Sequence, residues 1–145
     1  AIVLSVLGEG MPLMYNGQEA GFDHRIKFFD KDEIVWREHE HGGLYRSLFE
    51  LKHRNSALWN GEWGARTQRV RNNQPLQVLS FTRRKDADAV FAVFNFSGRE
   101  QTVTMLDGSF HGAYRDFFEG STVTLGGDDS TFELAPWSCR VFVTG

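Results

Sequence analysis

The second part of the chain, from residue 57 onward, is a series of short β-type segments separated by turn signals such as Asn72-Asn73, Ser97-Gly98 and Asp107-Gly108. Short segments at this spacing are typical of antiparallel sandwiches and Greek-key barrels. We therefore predict a mainly β fold, an antiparallel Greek-key β-sandwich. The expected strands are residues 67–71, 76–82, 90–95, 101–106, 113–117, 122–125, 132–134 and 139–143.

A different pattern precedes the β region. Residues 11–15 are an apolar run that stops at a polar corner next to Gly17, which is how a buried parallel strand ends in a loop. Leucines at helical spacing predict an amphipathic helix over residues 44–54. Residues 1–7 are apolar on nearly every side and fit either a helix or a buried strand. One isolated strand of the parallel type predicts that the chain is a piece of a larger molecule.

Charge and composition exclude several partners. A formal net charge of -3 and a pI near 5.9 provide no positive field for phosphates, so nucleic acid is not an expected partner. The basic runs at residues 66–71 and 83–85 are expected to be solvated. Residues 1–7 are far short of the ~20 apolar residues of a membrane span, so no membrane contact is expected. Cys139, the single cysteine, excludes an internal disulfide and leaves redox compartment and cellular location open.

Four motifs occur in an order that resembles the α-amylase family of glycoside hydrolases. Residues 12–21, Pro-Leu-Met-Tyr-Asn-Gly-Gln-Glu-Ala-Gly, resemble the family's eighth barrel strand. Residues 51–58, Leu-Lys-His-Arg-Asn-Ser-Ala-Leu, resemble the exit of its last barrel helix, with Ser56 where proline is usual. Residues 90–97 and 114–120 are similar to the central strand and a later turn of its C-terminal β domain.

The resemblance implies a division of the chain and of its function. Residues 1–56 would be the last strand and helix of a truncated (β/α) barrel, and residues 57–145 a C-terminal β-sandwich domain that stabilises the barrel of an enzyme acting on α-glucans. A complete barrel needs roughly 250 residues. The family's catalytic carboxylates lie on earlier strands, so we assign no catalytic residue and expect the chain alone to be inactive.

The expected partners follow from the same resemblance. They are the remainder of the catalytic barrel and the α-glucan substrate of the longer protein. Because residues 1–15 are mainly apolar, we also expect residues 1–20 either to pack back on the sandwich or to self-associate with another copy.

Four residues are candidates for substrate contact. Sugar rings stack on exposed aromatic side chains, so Trp59 and Trp63 are candidates, although the sequence favours packing of both at the joint between helix and sandwich. Trp36 lies in the loop after the predicted strand tip, where barrel loops surround the substrate. Asp23 lies four residues after Glu19 at the same tip, and we expect Glu19 to hold backbone donors there rather than to act as an acid or base.

The sequence favours no metal or cofactor. Residues 30–33, Asp-Lys-Asp-Glu, cluster carboxylates, but an EF-hand loop needs glycine and glutamate where Val35 and His41 stand. The sequence leaves open whether the longer protein binds calcium. His39 and His41 lack a third ligand at zinc-site spacing.

Two other classes of protein compete with this interpretation. A carbohydrate-binding β-sandwich module would need aromatic side chains along one exposed face. An immunoglobulin-like domain fits the sandwich alone, but it does not account for the corner at residues 11–21 or the helix, and the paired cysteines are missing.

Overall fold

The computed structural model describes residues 1–127 and 130–145, which form two helices and eight strands. The helices are α1 (Ile2–Leu7) and α2 (Glu40–Arg54), and 3₁₀ turns occur at Gln18–Ala20, Ser56–Leu58 and Gly61–Trp63. The strands are β1 (Gln68–Arg69), β2 (Val78–Lys85), β3 (Asp88–Asn95), β4 (Gln101–Thr104), β5 (Gly112–Asp116), β6 (Thr122–Leu125), β7 (Thr131–Leu134) and β8 (Cys139–Val143).

The strands form two antiparallel sheets. One has six strands in the order β1-β2-β3-β8-β5-β6, and the other pairs β4 with β7. Each strand overlaps a predicted segment, and the mainly β, antiparallel sandwich is confirmed.

The central strand β3 is buried on both of its faces. Phe91 and Val93 point into the apolar core between the two sheets, where the Phe91 ring lies 4.8 Å from that of Phe110. Val90 and Ala92 belong to a second apolar cluster on the opposite face. This doubly buried position explains why β3 reads as a nearly continuous apolar run.

The two helices cover the second face of the six-stranded sheet. Val6 and Leu7 of α1 and Leu48 and Leu51 of α2 are fully buried there, against Phe81 and its neighbours in the sheet. The helix predicted over residues 44–54 is confirmed and begins four residues earlier. Among the described residues, no helix is both long and apolar enough to cross a membrane.

The expected buried strand at residues 11–15 is not observed. The segment pairs with no strand among the described residues, and Met11 and Leu13 are 84% and 81% exposed. A parallel strand forms only by pairing with a neighbouring strand, and the described sheets consist of antiparallel pairs that do not include this segment. Residues 2–7 form a helix that packs back on the sandwich. This is one of the two arrangements expected for the segment, the other being self-association.

Candidate functional site

The exit of α2 is bonded to the start of β3 and to the residue that follows β8, both in the middle of the six-stranded sheet. Asn55 is buried, and its Nδ2 donates to the carbonyl oxygens of Thr144, at 2.9 Å, and Ala89, at 3.4 Å. Ser56 donates its backbone N–H and its hydroxyl to Asp88 Oδ2, at 2.7 and 2.6 Å. These bonds fix the helix exit to the start of β3 and the end of the chain.

A buried arginine joins α1 to the segment after α2. Arg83 Nη1 donates to the carbonyl oxygens of Leu7 and Gly8, at 3.0 and 2.7 Å. Its Nε and Nη2 donate to those of Ala65 and Trp59, at 3.0 and 3.1 Å. Burial lowers the pKa of the Arg83 guanidinium, and the Glu9 carboxylate opposes that effect. The expectation that residues 83–85 are all solvated is therefore wrong for Arg83, which is fully buried.

The corner at residues 16–21 is held by Gln18. Both glycines that flank its 3₁₀ turn have positive φ, +93° at Gly17 and +69° at Gly21, a conformation that L side chains rarely adopt. Gln18 Oε1 accepts from the Tyr15 N–H at 2.8 Å and from the Tyr45 hydroxyl at 3.2 Å. The corner thus stays attached to α2 although the preceding segment is not a strand.

Glu19 does not have the role expected for it. Its Oε2 is buried and has no hydrogen-bond partner among the described residues, so the backbone donor at the corner goes to Gln18 and not to Glu19. Burial, and after it the charge of Glu19, raises the pKa of Tyr45. The corner therefore holds a carboxylate oxygen that lacks a donor.

Trp59 lines a cavity together with residues 11–12 and the last turn of α2. The residue is 43% exposed, and its Nε1 donates to the His53 carbonyl oxygen at 3.1 Å. Lys85 Nζ lies 5.9 Å from the centre of the ring, within the range of a cation–π contact. Trp59 is thus fixed in the joint between helix and sheet while part of its ring remains open.

Trp63 follows one short turn later and is 65% exposed. Its carbonyl oxygen accepts a hydrogen bond from Lys85, which also lies over the Trp59 ring. Lys85 therefore connects the two tryptophans, but the cavity beside Trp59 is lined without Trp63.

Asp23 and Trp36 lie in the loop between the corner and α2. Arg37 fixes this loop to the corner, because its guanidinium donates to the carbonyl oxygens of Ala20 and Gly21, at 3.1 and 3.2 Å. Asp23 lines a small cavity of about 220 Å³ beside Arg37, and Trp36 is 60% exposed. The predicted site residues thus form two groups, one in this loop and one at the joint.

The comparisons with known proteins place the sandwich in a family. Residues 70–144 match the family model described as the α-amylase C-terminal all-β domain. The chain belongs to this family. No curated protein sequence matches the chain.

Solved structures of α-amylase-type enzymes share the fold at low sequence identity. A maltogenic α-amylase from Thermotoga neapolitana is 19% identical, with a TM-score of 0.78, over 98% of this chain and 34% of that one. A gamma-CGTase from alkalophilic Bacillus clarkii is 16% identical, with a TM-score of 0.73, over 99% and 22%. An Anoxybacillus α-amylase is 19% identical, with a TM-score of 0.71, over 98% and 30%. The chain spans about a third or less of these proteins.

Two polar residues in the motifs of this α-amylase C-terminal domain have clear structural roles. Asn95, in the central-strand motif, is buried and donates to the carbonyl oxygens of Arg99, at 2.7 Å, and Ala135, at 2.9 Å. Asp116, in the later turn motif, accepts the Phe118 N–H at 2.9 Å through Oδ1 and pairs with Arg140 through Oδ2. These polar residues of the domain stabilise turns and strand ends.

The acidic side chains of the loop before α2 do not come together in an arrangement that could bind a metal ion. No group of three or more His, Cys, Asp or Glu side chains suited to an ion occurs in residues 1–127 and 130–145. Asp32 accepts the Lys27 N–H at 3.0 Å, and this bond is the main cause that lowers the pKa of Asp32. Calcium binding by a longer protein stays a prediction.

Sequence reasoning missed the polar residues that connect the helices to the sheet. Arg83 lies two positions after Phe81 in β2, so strand alternation puts both side chains on the helix-covered face. That signal was available, but the neighbouring Arg84 and Lys85 make the run look like a charged surface. The partnership of Ser56 with Asp88 spans 32 residues and has no local signal.

Proposed function

We propose that this chain is the C-terminal part of an α-amylase-type glycosidase acting on α-glucans, in which the β domain is noncatalytic and stabilises the barrel. Residues 1–56 contribute the last strand and helix of that barrel, and residues 57–145 form the β domain. The observation that carries the proposal is the apolar cluster that α1 and α2 share with the six-stranded sheet.

The bonds around this cluster favour a supporting role. Asn55 and Ser56 hold the exit of α2, and Arg83 holds the end of α1, so both helices are bonded to the β domain at one end. The sheet supplies the apolar face against which the helices are buried. A domain that holds two barrel helices in place raises the free energy needed to unfold the barrel.

The exposed apolar side chains support the proposal that further protein covers this chain. Met11, Leu13, Phe28 and Phe29 are all exposed. Exposed apolar side chains in this number are typical of surfaces that other protein covers. In our proposal the rest of the barrel covers them and pairs with residues 11–15 as a strand.

The buried carboxylate oxygen of Glu19 supports the same proposal, that the rest of a barrel contacts this chain. A carboxylate oxygen removed from water without a donor is costly, and a donor from the rest of the barrel would remove that cost. Glu19 is then part of the scaffold. Retaining glycosidases need two carboxyl groups about 5 Å apart, and we propose that the longer protein supplies them from strands that precede this chain.

Trp36 and Asp23 are the residues we propose for contact with the substrate of the longer protein. Both lie in the loop that follows the corner, and Arg37 fixes that loop. A fixed loop that carries an exposed indole and a carboxylate can offer a stacking surface and a hydrogen-bond acceptor to a sugar.

The supporting role can be tested in the longer protein through Ser56. We expect Ser56→Ala to lower the melting temperature and to leave kcat/KM on maltotriose at 25 °C unchanged. Ser138→Ala is the matched control, because its hydroxyl bonds only the nearby Ala135 carbonyl oxygen. An unchanged melting temperature with a reduced kcat/KM would show that the domain takes part in the chemistry.

A further inference from the structure

The sequence contains two Asn-Gly pairs, and both lie in turns. Asn16-Gly17 belongs to the corner before α2, and Asn60-Gly61 lies at the start of the 3₁₀ turn that follows the exit of α2. A glycine after asparagine gives its backbone nitrogen access to the asparagine side chain, because glycine has no Cβ and few conformational restrictions. The surroundings of the two pairs differ.

The peptide between Asn16 and Gly17 is fixed by a closed turn. The Gln18 N–H donates to the Tyr15 carbonyl oxygen at 3.0 Å, and the Tyr15 N–H donates to the Gln18 side chain at 2.8 Å. Gly17 is buried, and a Cβ at its position would lie 3.0 Å from the Ile34 side chain. Rotation of this peptide would therefore break the turn and disturb its packing.

The peptide between Asn60 and Gly61 has none of these restraints. Asn60 is exposed, and its side chain does not bond to the 3₁₀ turn that it precedes. The Gly61 N–H donates to no backbone oxygen among the described residues. Apart from the adjoining residues, no atom lies within 4 Å of the position that a Cβ would take at Gly61, whose φ is +58°. The Gly61 nitrogen can therefore rotate towards the Asn60 side chain without breaking a backbone bond.

We propose that Asn60 is a site of spontaneous deamidation, whereas the fold protects Asn16 from the same reaction. The Gly61 nitrogen loses its proton and attacks Asn60 Cγ, so that an N–Cγ bond forms, the Cγ–Nδ2 bond breaks and ammonia leaves with the proton. Water then opens the resulting cyclic imide at either of its carbonyl carbons, which gives aspartate or isoaspartate. The reaction consumes one water and releases one ammonia, with no oxidation or reduction, and the inference does not depend on the proposed function.

The two products differ in their effect on the loop over residues 59–65. Arg83 holds both ends of this loop, through the carbonyl oxygens of Trp59, at 3.1 Å, and Ala65, at 3.0 Å. Aspartate keeps the length of the main chain. Isoaspartate leads the main chain through Cβ and Cγ and lengthens it between two fixed points. The isoaspartyl form therefore strains the bonds by which Arg83 connects this loop to the sheet.

The test is incubation of the 145-residue chain in a mildly alkaline buffer, followed by tryptic digestion and tandem mass spectrometry. We expect Asn60 to convert at least about tenfold faster than Asn16, because the barrier at Asn16 includes opening of the turn. The rate at Asn60 should rise in proportion to the hydroxide concentration, since the Gly61 nitrogen must lose its proton. Conversion of Asn60 that is no faster than that of Asn16 would overturn the proposal.

Unfolding provides the control for the effect of the fold. In concentrated urea the turn around Asn16 is absent, so the two pairs should convert at rates within about twofold of each other. A difference that persists unchanged in urea would overturn the protection of Asn16 by the fold. In the folded chain, Asn60→Gln should abolish most of the ammonia release, because glutamine must form a larger ring, and the matched variant Asn16→Gln should leave it nearly unchanged.

The effect on Arg83 is measured on the separated products. The isoaspartyl form, identified by methylation with an isoaspartyl methyltransferase, should unfold at a lower urea concentration than the unmodified chain. The variant Asn60→Asp, which has the same charge and an ordinary main chain, should keep the midpoint of the unmodified chain. An isoaspartyl form with an unchanged midpoint would overturn the connection to Arg83.

Discussion

Ser56 donates both its backbone N–H and its hydroxyl to a single oxygen of Asp88, at 2.7 and 2.6 Å. Ser56 stands where the resembling motif usually has proline, and a proline has neither donor. The departure from the motif therefore adds a bonded connection between the exit of α2 and the start of β3.

The first prediction concerns this connection. Ser56→Ala removes one bond to a charged acceptor, and Ser56→Pro removes both, so we expect losses in the free energy of unfolding of about 1–2 kcal/mol and a larger loss for proline. Urea denaturation of the 145-residue chain measures both. Equal stability of Ser56→Pro and the unsubstituted chain would show that the connection contributes nothing.

The second prediction concerns Arg83. Replacement by methionine leaves four backbone carbonyl groups without their donor, so Arg83→Met should lower the free energy of unfolding by about 3 kcal/mol or more. Arg66→Met is the matched control, since its exposed side chain pairs only with Glu9 and should contribute little. Similar urea midpoints for the two variants would contradict a structural role for Arg83.

The third prediction concerns pH and Asp116. Burial by itself would raise the pKa of Asp116, but the Glu119 amide, the Arg140 guanidinium and the Phe118 amide together hold the pKa below its ordinary value. A carboxyl group with a lowered folded-state pKa stabilises the fold above the unfolded-state pKa of about 3.9, and this contribution is lost as the pH falls through the folded-state pKa.

We therefore expect Asp116→Asn to flatten the acid side of the curve of unfolding free energy against pH. Thermal melts between pH 2 and 7 measure this curve, at intervals of about one pH unit. Asp30→Asn, in an exposed loop, is the control and should keep the slope of the unsubstituted chain. An acid limb of the same slope in Asp116→Asn would contradict the prediction.

The fourth prediction concerns self-association through residues 1–20. Met11 and Leu13 are exposed on a segment that pairs with no strand among the described residues, so two chains can pair there. We expect the mean mass in sedimentation experiments to rise with concentration, and the double variant Met11→Lys, Leu13→Glu to remain monomeric. A concentration-independent monomer for the unsubstituted chain would contradict this expectation.

The sandwich could be predicted because its signals are local. Turn pairs such as Asp107-Gly108 mark the strand ends, and β3 reads as one apolar run because it lies at the centre of the sheet. Residues 11–15 do not form a strand in this structure because a parallel strand exists only through its neighbours, and the described residues provide none. Local composition does not contain that information.

The candidate site was harder to predict from the sequence than the sandwich fold. The exposed indoles of Trp36, Trp59 and Trp63 were recognised as candidates, but which of them lines a cavity depends on contacts between distant segments. At the corner, the sequence predicted that Glu19 would hold the backbone donors, because Glu19 lies beside a tight glycine corner. The structure uses the amide of Gln18 and leaves a Glu19 oxygen unpaired.

The bond between Asn55 and Thr144 links residues 89 positions apart. During synthesis from the N-terminus, α2 leaves the ribosome long before the residue that fastens its exit, and domains form in the order in which they emerge. A nascent chain that stops before Thr144 carries α2 without this bond. The joint between helix and sheet therefore closes only after β8 and Thr144 have been synthesised.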